Sequence, residues 1–249
     1  MKFQAHRGVC TECPENTIPA FERAIEQGYS YIETDTRATK DDIWVLMHDE
    51  TLNRTCRNGD GTELTKPVKL SEITYKEMLN YDAGIVRGNE FKGTLIPTLA
   101  QLLNLAKQAE ITVKLDNIIQ FYTDEQLKIL FNLVVSSKAT VAFTCSSIDF
   151  IKKILDAIPD AEIHYDGLVN AEIMEELSKV LKDNNWVVWM CLPSAAKNWF
   201  KLPRASDDLC ALVRSYTKLG LWIFEREEQL KEAEHWKADL IETDGTVKP

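Results

Sequence analysis

The sequence predicts an α/β protein, a (β/α)8 TIM barrel with a small insertion after the second strand region. Strand-like and helix-like segments alternate from one end of the chain to the other, which implies parallel strands joined by right-handed crossovers. Eight strand-like segments can be counted, enough to close a cylinder. The chain has 249 residues, a typical size for such a barrel. A doubly wound open sheet is the competing architecture, but no Gly-rich phosphate fingerprint follows the first strand.

The elements follow in order. QAHRG at 4–8 is a short strand, and 16–28 has the apolar spacing of an amphipathic helix closed by Gly28. Pro14 and Asn16 are placed to start that helix. YIETDTR at 31–37 is the second strand, with IWVLMH at 43–48 as its partner or extension across the polar turn 39–42. Residues 49–95 break the rhythm with Asn58-Gly59 and Asp60-Gly61 turn signals and one expected short helix near 70–81. This stretch is too short for an independent core. It reads as an inserted subdomain within one domain spanning 1–249. The rhythm then resumes with a helix over 98–109 and the strand ITVKLDN at 111–117. Helices at 123–136, 147–157, 171–183, 206–218 and 226–235 are expected to alternate with TVAFTC, AEIHYD, WVVWMCL, LWIF and DLIETD.

Composition narrows the function classes. Hydrophobic residues make up 45% and charged residues 27%, as in ordinary globular proteins. Twenty-nine basic against 39 acidic residues give a net charge of −10, which disfavours broad binding to nucleic acid or lipid phosphate. No apolar run is long enough to cross a bilayer, so neither nucleic acid nor stable membrane anchoring is expected. MKFQAHRG enters the first strand at once, without a signal-peptide core, and a cytoplasmic location is expected. The six cysteines then read as reduced thiols. Cys10 and Cys13 form a C-x-x-C, but no second pair exists to complete a zinc site, so they read as small loop residues.

The chemistry concentrates between residues 5 and 55. His6 and Arg7 end the first strand, where a barrel carries its active groups. Glu33 and Asp35 are two apart on the second strand and leave from one face. Two such carboxylates repel one another unless a cation lies between them, and hard oxygen ligands favour Mg²⁺ or Ca²⁺. The plainer alternative has both facing solvent in a polar loop. His48 closes the next extended segment, so two of the chain's four histidines flank the carboxylate pair.

HRG, PENT at 14–17, E-x-D, HD at 48–49 and L-x-R-T at 52–55, in this order and spacing, resemble the glycerophosphodiester phosphodiesterase family. LSEI at 70–73, YDAG at 81–84, IPTLAQLL at 96–103 and ETDG at 242–245 extend the resemblance over nearly the whole chain. It implies a TIM barrel that hydrolyses glycerophosphodiesters to glycerol 3-phosphate and an alcohol. Carried over by position, it makes His6 and His48 the general acid and base and Arg7 a phosphate contact. Glu33 and Asp35 become metal ligands, with Glu15 and Asn16 in the motif that supports them. One divalent cation, Mg²⁺ or Ca²⁺, and a small phosphodiester substrate are implied, while the oligomeric state is left open. For Asn16, helix capping and bracing of the site are equally supported.

Two stretches depart from the family pattern. Its third strand ends in E-x-K, whereas here Asp116 takes the glutamate position and Ile118 the lysine position. Asp116 is the expected third metal ligand. Lys114, on the same face but deeper, is expected as an interior cation that partners a carboxylate or reaches the phosphate. Near 221–228, Trp222 and Phe224 stand without the family's threonine and asparagine. Glu162, His164 and Asp166 share one face and offer a second, weaker metal set. Two rival functions follow: a phospholipase of the sphingomyelinase D type, against which PENT and the long insertion argue, and a non-catalytic binder of phosphorylated glycerol.

Overall fold

The computed structural model describes residues 1–196 and 204–249. Its first strand, β1 (Lys2–His6), is followed by helix α1 (Ile18–Glu26) and by β2 (Tyr31–Thr34). A short hairpin of β3 (Thr36–Ala38) and β4 (Trp44–Leu46) comes next. The insertion carries β5 (Arg57–Asn58), α2 (Tyr75–Met78) and β6 (Tyr81–Asp82). After it the repeating units run α3 (Leu99–Ala109), β7 (Thr112–Leu115), α4 (Asp124–Ser137), β8 (Val141–Cys145), α5 (Ile148–Ala157) and β9 (Glu162–Tyr165). The chain continues through α6 (Ala171–Leu181), β10 (Trp186–Cys191), α7 (Asp207–Arg214), β11 (Lys218–Phe224), α8 (Leu230–His235) and β12 (Leu240–Thr243).

Eight strands close a parallel barrel in the order β1-β12-β11-β10-β9-β8-β7-β2. The open-sheet alternative is thereby excluded. Closure comes from β1, which pairs with β12 on one side (Ala5 beside Thr243) and with β2 on the other (His6 beside Glu33). Glu33 in turn lies beside Lys114 of β7. The first, second and third strands of the barrel thus deliver His6, Glu33 and Lys114 side by side.

YIETDTR does not form one strand. It leaves the barrel after Thr34, and β3 pairs antiparallel with β4, so IWVLMH partners its second half outside the barrel rather than extending it. The backbone N–H of Met47 donates to the carbonyl of Asp35 (3.0 Å), which ties the hairpin to the barrel rim. The expected helix at 70–81 is two pieces, a 3-10 turn at Leu70–Glu72 and α2. Thr74 separates them because it is extended and caps α2 reciprocally with Glu77. The helix expected to reach 218 ends at Arg214, since Lys218 already belongs to β11. The one expected at 226–235 is a 3-10 turn, Glu227–Gln229, followed by α8.

Most buried apolar side chains form one core between barrel and helices. A second, small cluster unites Leu52, Cys56, Leu70, Met78 and Ala83 with Val45, Met47 and Ile96. Half-buried elements of the insertion therefore share their core with β4. Among the described residues, no helix is long and apolar enough to cross a membrane.

Candidate active site

The cavity at the carboxyl ends of the strands measures about 710 Å³ and is lined by His6, Arg7, Glu15, Glu33, Asp35, His48, Lys114 and Asp116. Asp49, Arg54, Asp166, Trp189, Trp222, Glu242 and Asp244 complete its polar and aromatic wall. Every expected site residue except Asn16 reaches this wall. Asn16 lies directly behind it.

The HRG motif turns the chain off β1. Arg7 (φ 57°) and Gly8 (φ 85°) are left-handed, and a Cβ at Gly8 would sit 2.6 Å from that of Ala20 on α1. Only glycine permits that approach. The turn aims Arg7 at the acidic pair. Its Nε lies 2.9 Å from Asp35 Oδ2 and its Nη1 3.3 Å from Glu15 Oε1.

Each histidine carries its own carboxylate. His6 Nδ1 lies 2.6 Å from Asp244 Oδ1, and His48 Nδ1 lies 2.6 Å from Asp49 Oδ1. Burial alone would lower the His6 pKa. The Asp244 bond and the charges of Glu33 and Glu242 outweigh it and lift His6 to about 9. His48 is the more open, with 46% of its side chain exposed. Burial would raise Asp49, but its bonds with Arg54 and His48 bring it down to about 2.

Asn16 braces rather than caps. Its Nδ2 donates to Asp35 Oδ2 (2.8 Å) and its Oδ1 accepts from Thr34 Oγ1 (2.7 Å). The helix N-cap is Thr17, without a side-chain capping bond, and the proline of the first turn is Pro19, not Pro14. The capping expectation for Asn16 and Pro14 is thus corrected: Asn16 sits one residue too early and is left-handed (φ 55°).

Lys114 is buried. Its Nζ donates to Glu242 Oε2 (3.3 Å) and lies 4.3 Å from the centre of the Trp189 ring. Burial alone would lower its pKa, but Glu242 and Glu33 raise it, so it remains charged. Ile118, at the family's lysine position, packs against the main core.

Glu162 and His164 do not form a second metal set. The Trp189 indole donates from Nε1 to His164 Nδ1 (2.8 Å), so His164 must carry its proton on Nε2, which faces Glu162 Oε1 at 3.0 Å. Burial holds His164 down to about 4. Glu162 also accepts from Tyr31 (2.9 Å), and both its oxygen and the imidazole are committed inside the barrel. Asp166 reaches the cavity without them and accepts from Asn117 (2.8 Å).

Among the described residues, no three histidine, cysteine or carboxylate side chains converge closely enough to hold a metal ion as they stand. The donor chemistry of Glu33, Asp35 and Asp116 still fits a hard dication. Burial raises Glu33 well above the carboxylate range, and the charge of Asp35 adds to it. The same two causes raise Asp116. A bound dication relieves that repulsion.

Sequence reasoning missed Asp244, Asp49 and Arg54 as side chains of this cavity. All three stand inside motifs it quoted, ETDG, HD and L-x-R-T. The signal was present without a partner to give it meaning.

A parallel barrel with its charged cavity at the carboxyl ends of the strands defines a TIM-barrel protein with the usual placement of an active site. The model of the glycerophosphoryl diester phosphodiesterase family matches residues 6–246, and the chain belongs to that family. A glycerophosphodiester phosphodiesterase of Caldanaerobacter subterraneus is 41% identical over 112 residues, covering 45% of this chain and 43% of that protein. One from Bacillus altitudinis is 37% identical over 131 residues, covering 51% and 50%. The chain spans about half the length of these curated relatives. The fold resembles an Oleispira antarctica phosphodiesterase solved with the product sn-glycerol-3-phosphate, with a TM-score of 0.75, 19% identity and coverage of 99% and 94%. It also resembles a glycerophosphodiester phosphodiesterase of Agrobacterium tumefaciens, with a TM-score of 0.71, 20% identity and coverage of 98% and 96%.

Proposed function

We propose that this chain is a metal-dependent glycerophosphodiester phosphodiesterase that releases glycerol 3-phosphate and an alcohol. One observation carries the reading: two imidazoles, each fixed through Nδ1 to a carboxylate, share one cavity with Arg7 and with the carboxylates of Glu33, Asp35 and Asp116. Fixing Nδ1 leaves Nε2 of each ring to exchange a proton. His6 holds a proton at neutral pH and suits the general acid that protonates the departing alkoxide. His48, on the open rim, then takes the proton of the attacking hydroxyl. Arg7 neutralises a non-bridging phosphate oxygen. Lys114 adds positive potential from below, its ammonium tied to Glu242. Glu33, Asp35 and Asp116 would hold one Mg²⁺ or Ca²⁺, which supplies charge neutralisation to the phosphodiester. Glu15 and Asn16 keep Arg7 and Asp35 in place.

Membership of the family and the product bound by the Oleispira antarctica protein support glycerol 3-phosphate as the product here. We read residues 1–249 as one barrel domain with 49–95 inserted. The test is release of glycerol 3-phosphate from glycerophosphocholine, glycerophosphoethanolamine and glycerophosphoglycerol, with divalent cation and after its stringent removal. Turnover of at least one, abolished without metal, is expected. No product from any of them rejects the activity, and undiminished turnover without metal removes the cation from the mechanism.

A further inference from the structure

We propose that Arg54 is a positioning residue that holds the two halves of the site in register, through its forked geometry rather than its charge. The inference rests on the phosphodiesterase reading above. Arg54 belongs to the insertion, yet it touches both sides of the cavity. Its Nε and Nη2 donate to Asp49 Oδ2 and Oδ1 at 2.6 and 3.1 Å. Nη1 and Nη2 donate to Glu15 Oε2 and Oε1 at 2.8 and 2.7 Å. One guanidinium thus engages all four oxygens of two carboxylates.

What those carboxylates do gives the contact its meaning. Asp49 fixes His48 Nδ1, and Glu15 pairs with Arg7, which faces Asp35. His48 comes from the edge of the insertion, whereas Arg7 comes from the end of β1. Arg54 is the member these two lines share. Stability alone is a poor account of it, because Arg54 is 47% exposed and exposed ion pairs add little. Geometry is the better account. The His48 ring is 46% exposed, so packing does not set its angle; the Asp49 bond does, and Arg54 sets Asp49. A planar fork fixes a carboxylate where a lysine would only attract it.

The experiment compares wild type with R54Q, R54K and D49N in turnover of glycerophosphocholine, melting temperature and the imidazole N–H resonances. Only four histidines are present, so the His48 signal is assigned by its loss in H48Q. R54Q is expected to lower kcat about tenfold to a hundredfold while KM moves much less and the melting temperature falls only slightly. R54K should stay close to R54Q, since it restores charge without the fork. R54Q combined with D49N should be no slower than D49N alone. The Nδ1–H signal of His48, protected in wild type, should disappear in R54Q and R54K. Wild-type kcat in R54K, or an unchanged His48 signal in either variant, overturns the proposal. If R54Q fails to fold, R54K and D49N carry the same comparison. If wild type turns over no glycerophosphodiester, the activity reading fails, and the His48 signal still decides the role of Arg54.

Discussion

A histidine whose Nδ1 is held by a carboxylate has one nitrogen left for chemistry, and both His6 and His48 are in that condition. Replacing either with alanine should cut turnover about 10²- to 10⁴-fold. The two losses should separate when the leaving alcohol is p-nitrophenol, which departs without a proton. The deficit of H6A should then shrink while that of H48A stays. Equal deficits on both substrates would reject His6 as the acid. Much of this was legible in the chain. Period-two spacing put Glu33 and Asp35 on one face, and strand ends located His6 and Arg7. Asp244 was not legible as the partner of His6, because 238 residues separate them and only barrel closure joins them. Nor was the choice for Asn16, where one residue of helix offset decides between capping and bracing.

At the scale of elements, the helices around the barrel were readable from apolar spacing because each presents one stripe to the same core. Some of their starts are fixed in the structure where a threonine precedes a glutamine or glutamate by three. Thr98 and Gln101 cap α3 reciprocally, as Thr123 and Gln126 do α4. T98A should lower the unfolding free energy by about 1 kcal/mol in a urea titration, with kcat unchanged. A loss below the error of the titration would mean that packing of Leu99, Leu102 and Leu103 alone fixes that end. The insertion was the hard part. Its pieces at 57–58 and 81–82 pair across a stretch of turns, and no periodicity announces two-residue strands. Asp82 shows why it holds nonetheless: its carboxylate accepts from the backbone of Gly84, Ile85 and Gly93 at 2.7–3.0 Å.

For the molecule as a whole, buried titratable groups set the response to pH and to metal. His164 titrates near 6.5 when unfolded but only at about 4 in the barrel. Its contribution is therefore complete above pH 6.5 and is lost as pH falls from there to about 4, by up to roughly 3 kcal/mol. H164Q melted beside wild type should lack that slope, and an identical slope would place the acid sensitivity elsewhere. The crowded carboxylates give the opposite handle. Mg²⁺ or Ca²⁺ at a hundredfold over Kd should stabilise the fold by about 3 kcal/mol, and E33Q should abolish the effect. A melting temperature indifferent to both ions would argue against the ligand set.

The pairing of His6 with Asp244 also has a temporal side. His6 leaves the ribosome 238 residues before Asp244 and waits for it before its ring acquires an orientation. In refolding from denaturant, catalytic power should therefore return only with the final seam, however early the helices reappear.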